Sequence, residues 1–154
     1  MTARDLTGLV RNDQVIVQAG AIAWRSEEKG RWELLLVTSR RTGRWILPKG
    51  NIDAGSAARC TVAQELREEA GVVGDVAMVP FATVESVKIR PPNYWPVSIS
   101  FYPVRIRDVL DTWPERHQRE RRFCAAHEAV VLVNEPDVSE MISRFAATRV
   151  APQR

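Results

Sequence analysis

The sequence predicts an α/β fold, on three observations. Short β-branched or apolar segments recur along the chain, whereas one carboxylate-rich stretch has helical spacing instead. No internal repeat, low-complexity tract or Gly/Ser linker divides the 154 residues, so a single domain over residues 1–154 is expected, long enough to bury a sizeable core. With 45% hydrophobic and 27% charged residues the composition is that of a soluble globular protein, and no apolar run approaches membrane-spanning length.

Taken in order, Gln14 to Arg25 is β-branched and alanine-rich around Gly20 and reads as a strand. Ser26 to Gly30 is a polar turn, and Trp32 to Thr38 (WELLLVT) is a strongly apolar strand. A basic turn, Arg40 to Gly43, precedes a short extended piece, Trp45 to Leu47, that Pro48 ends. A helix is expected from about Ser56 to Ala70, with Gly55 or Ser56 as its cap and Gly71 as its stop. On it Arg59, Val62, Ala63, Leu66 and Ala70 share a mostly apolar flank that can pack on a sheet. Strands are expected at Val76 to Val87 and Pro96 to Arg107, with Pro103 marking a bulge or an edge. A last helix, about Pro136 to Thr148, would cover the other face.

The central helix carries the chemistry. Glu65, Glu68 and Glu69 are spaced i, i+3 and i+4 and so meet on one face, behind a loop that begins at Gly50. Gathered carboxylates repel unless a cation lies among them, and a hard divalent ion such as Mg²⁺ takes oxygen ligands shared with substrate phosphates. A solvated acidic face would carry the same three residues.

The whole stretch, GNIDAGSAARCTVAQELREEAGV, resembles the Nudix box, G-x5-E-x7-R-E-U-x-E-E-x-G-U with U a bulky aliphatic residue. Gly50, Glu65, Leu66, Glu68, Glu69, Gly71 and Val72 match at the required spacing. Ser56 stands where the pattern has Glu, and Gln64 where it has Arg. In the family that Arg helps orient the catalytic glutamates. Replacing both partners avoids leaving one charge unpaired, and a hydroxyl and an amide still form hydrogen bonds. A working site with altered support is therefore expected.

The resemblance implies an α/β/α sandwich around a central mixed β-sheet. It also implies hydrolysis of a phosphoanhydride, with Glu65, Glu68 and Glu69 as catalytic and metal-binding residues for Mg²⁺ or Mn²⁺. The backbone around Lys49 and Gly50 would add a ligand, and the Lys49 side chain could touch phosphate. Glu68 or Glu69 is the first candidate for the base that takes a proton from water. Some family members place the base outside the box, which keeps Glu115 and Glu120 as candidates.

Flanking segments, LLLVTSRRTGRWILPKG before the box and DTWPERHQRERRF after it, are similar to the diphosphoinositol polyphosphate phosphohydrolase branch and its bacterial relatives. The resemblance spans about residues 14 to 135. Arg40, Arg41 and Arg44 on one side, and Arg119 and Arg121 within a second basic cluster, are substrate-binding candidates, since a guanidinium forks onto phosphate. Solvated basic loops with Glu115 and Glu120 as local partners are the plainer explanation of the same residues. His117 and His127 are isolated and read as structural or surface residues.

A net charge of +3 favours anionic partners without naming one. The expected partner is a small polyphosphorylated molecule such as a dinucleoside polyphosphate or a diphosphoinositol polyphosphate. No membrane or nucleic-acid partner is expected, and the chain would be a monomer or homodimer. A nucleotide-binding sensor of the same fold, weak or inactive because of Ser56 and Gln64, is the rival reading. The start is too polar for a secretory signal, and Cys60 and Cys124 lack metal-ligand spacing, so a cytoplasmic location with reduced thiols is expected.

Overall fold

The computed structural model describes residues 5–149. Strands β1 (Val10–Arg11), β2 (Ile16–Ser26), β3 (Trp32–Thr38), β4 (Trp45–Ile46) and β5 (Lys49–Asn51) precede helix α1 (Ala58–Ala70). Strands β6 (Val72–Val76), β7 (Ala82–Arg90), β8 (Asn93–Val109) and β9 (Arg121–Cys124) follow, then helices α2 (Ala126–Leu132) and α3 (Pro136–Arg149). Among the described residues these nine strands form one mixed sheet along the path β1-β8-β2-β3-β4, with β5 on β2, β6 and β7 on β8, and β9 on β3. Parallel pairing joins β2 to β8, from Ile16 opposite Val97 to Trp24 opposite Arg105.

Alternation along the central strands explains the layering, because successive side chains point to opposite faces. In β2, Ile22 faces one core while Ala19, Ala21 and Ala23 face the other; in β3, Leu34 and Leu36 are set against Leu35 and Val37. The first face is covered by α2 and α3 through Ala129, Val138, Met141, Ile142 and Phe145. On the second, α1 presents Val62, Leu66 and Ala70 to the three alanines of β2. Small residues there let the helix lie close to the sheet, with its last turn against β5, where Lys49 N–H meets Glu69. Half-buried Arg59 ties the other end down, donating to the Val76 and Ala77 carbonyls at 2.8 and 3.0 Å.

Several sequence expectations are corrected. Helix α1 starts two residues after Ser56, with Ala57 in the capping position and no side-chain cap. Gly71 does stop it, at φ 63° in the left-handed region where a Cβ would also meet the Trp113 ring at 2.7 Å. The single strand expected at Val76 to Val87 is two strands, β6 and β7, joined by a turn. Pro103 lies inside the long β8, opposite Ile22, with no bulge of its own. Its carbonyl accepts from Ala77 N at 2.9 Å, so its missing N–H falls where β7 has ended and β6 has not begun. The register shift sits nearby instead, between Val73 and Gly74. Strands β1 and β5 and helix α2 were not expected.

Candidate active site

Glu69 is held at the inner edge of the carboxylate face. It comes three positions after Leu66 and directly before Ala70 of the core stripe, and is 3% exposed. Lys49 N–H donates to Oε1 at 3.2 Å, and Arg119 Nη2 lies 3.2 Å from Oε2. Burial raises its pKa from the ordinary 4.5 to about 7; Arg119 and the Lys49 N–H oppose that shift, while Glu65 and Glu115 add to it. Glu65 is pushed upward as well, first by burial and then by the charges of Glu68 and Glu115. Glu68 accepts a hydrogen bond from Gln64 Nε2 at 3.0 Å. The amide at the departed Arg position thus orients a box glutamate. Ser56 is exposed, and its N–H donates to Asp53 O at 3.0 Å in the loop before the helix.

Gly50 leaves room for the Glu65 side chain: a Cβ there would come within 2.7 Å of the Glu65 Cγ and force that carboxylate to move. Residues 49 to 51 are not an irregular loop but strand β5, paired with Gln18, Ala19 and Gly20 of β2. That pairing fixes the Lys49 backbone against Glu69.

The segment after β8, through Arg121 at the start of β9, closes over the end of α1. An α-helix leaves its last carbonyls without internal donors. Here Glu115 N donates to Glu68 O at 3.0 Å, Trp113 Nε1 to Glu69 O at 3.1 Å, Arg121 Nη1 to Ala70 O at 2.9 Å and Leu110 N to Gly71 O at 2.8 Å. Four consecutive carbonyls are satisfied from one segment. Arg121 also donates to Leu110 O at 2.8 Å and stacks 3.9 Å over the Trp113 ring. Arg119 Nε bonds Glu115 Oε1 at 2.8 Å, and its Nη1 donates to Thr38 O at 2.9 Å. Both arginines expected to grip substrate are therefore occupied in holding the helix and its carboxylates.

Of the two outside base candidates, Glu115 joins the cluster, where its charge acts on Glu65 and Glu69. Glu120 is exposed, and its backbone pairs with Thr38 on the rim of β3. Arg40 leans toward the same segment, 3.1 Å from Gln118 Oε1 and 3.8 Å from Glu115 Oε1. Arg41 and Arg44 instead line a cleft of about 730 Å³ on the α2/α3 side of the sheet, with Lys49 and Gln18 also in its lining. Lys49 joins the two regions: its backbone N–H serves Glu69, and the residue lines the cleft, its Nζ 3.5 Å from Gln18 Oε1. Lys88 and Arg90 of β7 line this cleft too; neither was singled out from sequence.

An all-oxygen carboxylate set that is partly buried and short of positive charge suits a hard divalent ion. Among the described residues, no three acidic, histidine or cysteine side chains converge on one metal-sized point. Glu69 is turned toward Arg119 and Lys49, and Glu68 toward Gln64. The donor chemistry fits, with the oxygens held by protein partners.

Solved structures share this architecture. A Caenorhabditis elegans Ap4A hydrolase complex superposes with TM-score 0.66 at 18% identity, covering 86% of this chain and 96% of that one. A NUDIX hydrolase from Nitrosomonas europaea gives 0.67 at 14%, covering 90% and 93%. At such identities the likeness establishes the fold: a mixed sheet between helices, as in Nudix proteins. The family model for the NUDIX domain matches residues 16–145, and the chain belongs to the Nudix family. Among Arabidopsis thaliana proteins, Nudix hydrolase 12, mitochondrial, is 28% identical over 104 residues, covering 65% of this chain and 51% of that protein. Nudix hydrolase 16, mitochondrial, is 29% identical over 116 residues, covering 72% and 64%. The chain spans about half the length of the first of these relatives. No helix among the described residues is long and apolar enough to cross a membrane.

Proposed function

We propose that the chain, read as one Nudix domain over residues 1–154, is a Mg²⁺-dependent hydrolase that cleaves a phosphoanhydride bond in a polyphosphorylated small molecule. The observation that carries this reading is the junction at Lys49, where one residue links a buried carboxylate cluster to a basic cleft. Glu65, Glu68 and Glu69 would hold the ion, with the backbone around Lys49 and Gly50. A bound divalent ion, Mg²⁺ or Mn²⁺, supplies Lewis acidity at the scissile phosphate and acidifies the attacking water.

The chain's own groups do the remaining work. Arg41, Arg44 and Lys49 draw the polyphosphate into the cleft and neutralise charge as the leaving group departs. Glu68 receives the water's proton: it is partly exposed and oriented by Gln64, whereas both Glu69 oxygens are committed to Lys49 and Arg119. Glu115 is the nearer reserve for that role, Glu120 the remoter one. Dinucleoside polyphosphates and diphosphoinositol polyphosphates are the substrate classes that suit the cleft, the former also named for the nematode fold neighbour. Free thiols at Cys60 and Cys124 suit a reducing compartment such as the cytoplasm.

The test is phosphate or nucleotide release over a panel of dinucleoside polyphosphates, inositol pyrophosphates, nucleotide sugars and nucleoside triphosphates with Mg²⁺. Glu68→Gln should lower turnover by about a thousandfold while the fold persists. No turnover of any substrate with Mg²⁺ or Mn²⁺, together with tight binding of one of them, would establish the sensor reading that Ser56 and Gln64 keep open.

A further inference from the structure

Trp24, Trp32 and Trp45 pack against the α2/α3 core, whereas Trp113 lies at the end of α1, beside the carboxylates. Its half-buried indole makes three contacts there. The Nε1–H donates to Glu69 O at 3.1 Å, in the helix turn that also carries Glu68. The ring fills the space next to Gly71, where a Cβ would meet its Cδ2 and Cε3 at 2.7 Å. The Arg121 guanidinium lies 3.9 Å over the ring centroid while its Nη1 serves Ala70 O. Three consecutive residues, Glu69 to Gly71, are thus engaged by Trp113 or by the arginine stacked on it.

Trp113 also opens a compact turn. Arg116 N donates to Trp113 O at 3.2 Å, and Gln118 N and Arg119 N donate to Glu115 O at 2.9 and 3.1 Å. That turn aims two side chains back at the helix: Arg119 lies 3.2 Å from Glu69 Oε2 and 2.8 Å from Glu115 Oε1. The backbone carbonyl and the carboxylate of Glu69 are therefore both held from one short segment. A helix end frays when its last carbonyls lack donors, and here that end carries the site. The indole N–H is a neutral donor, so removing it strands no buried charge. A phenyl ring in its place would keep the contacts with Gly71 and Arg121 and lose the hydrogen bond alone.

We propose that Trp113 is a positioning residue of the carboxylate site. Its indole N–H locks the last turn of α1 to the turn of residues 113–119, so that Glu68 and Glu69 on the helix keep one arrangement with Glu115 and Arg119. The effect on turnover rests on the hydrolase reading above; the lock itself does not.

Trp113→Phe in the full chain separates them. Metal-free amide hydrogen exchange should show Leu110 N–H and Glu115 N–H, which bond Gly71 O and Glu68 O, losing about tenfold in protection while β3 keeps its own. Steady-state hydrolysis with Mg²⁺ should show kcat falling about tenfold with KM changed by less than about twofold. In the wild-type protein, Mg²⁺ should shift the Trp113 indole N–H resonance, identified by its loss in Trp113→Phe, more than those of Trp24 and Trp32. Unaltered exchange in the variant overturns the lock, and unaltered kcat beside raised exchange overturns the positioning role. If the wild-type protein hydrolyses no substrate, the hydrolase reading fails and the indole response to Mg²⁺ settles the proposal. A shift larger than those of Trp24 and Trp32 then supports it, and the absence of one overturns it.

Discussion

Two arginine clusters flank the same carboxylate helix and do opposite things. Arg41 and Arg44, before the box, are exposed, line the cleft and lack carboxylate partners among the described residues. Arg119 and Arg121, after it, are largely buried and spend their donors on Glu69, Glu115, Thr38, Ala70 and Leu110. A guanidinium's five donors suit phosphate and protein carbonyls equally well, so residue type cannot separate these roles. Burial separates them: a charge removed from water must be matched inside the protein, whereas one at a cleft rim remains available to a ligand. Arg40 lies between the two cases, exposed yet leaning on Gln118.

Removing Arg119 should break the molecule most. Arg119→Ala leaves Glu69 buried without its counter-charge and Glu115 with Arg40 as its ion-pair partner, at a cost of about 3–5 kcal/mol, and calorimetric melting should fall accordingly. A melting temperature unmoved by that change would erase the distinction between the clusters.

Glu69 gives the next effect. Its folded pKa of about 7 exceeds the ordinary 4.5, so between those values the folded protein binds more protons than the unfolded chain. Metal-free stability should therefore decline as pH rises from about 4.5 through about 7, by roughly 3 kcal/mol in all from this group. Urea titrations at pH 5 and pH 8 should show it, Mg²⁺ should stabilise more at the higher pH, and Glu69→Gln should flatten the slope.

Arg121→Ala removes the donor to Ala70 O and Leu110 O and should destabilise by about 1–3 kcal/mol. Because it loosens the turn carrying Glu68 and Glu69, kcat should fall more than KM rises. Smallest on stability, Arg41→Ala with Arg44→Ala should shift folding by less than about 0.5 kcal/mol while raising KM about tenfold. The reverse pattern, a stability loss with KM unchanged, would exchange the two clusters' roles.

Strand β3 is legible in its full length because seven apolar-rich residues between turns carry their own signal. Helix α1 is legible through its glutamate spacing and Gly71, and α3 through its apolar stripe. The three-residue β5 was hidden because it is a strand through its pairing to Gln18, Ala19 and Gly20, not through local preference. The cap at Ala57 has no side-chain signature, and seven-residue α2 is too short for helical periodicity to stand out. Lys88 and Arg90 could have been noticed as alternating cations at a strand end, in KIRPP, but nothing local says that they line a cleft with Arg44.

What the sequence by itself determined is the set of groups bound to one another by short spacing: Glu65, Glu68 and Glu69 on one helical face, Gly50 at the start of the motif and Gly71 at its stop. Helical geometry places such neighbours together whatever the rest of the chain does. Tertiary structure alone decided what meets that face. It brought Lys49 N–H and Arg119 to Glu69, gave four helix-end carbonyls their donors, and put residues of β7 and the turn of Arg41 and Arg44 on one cleft. Those contacts join residues tens of positions apart, and they form because buried charges and unpaired carbonyls require partners that the local chain does not supply.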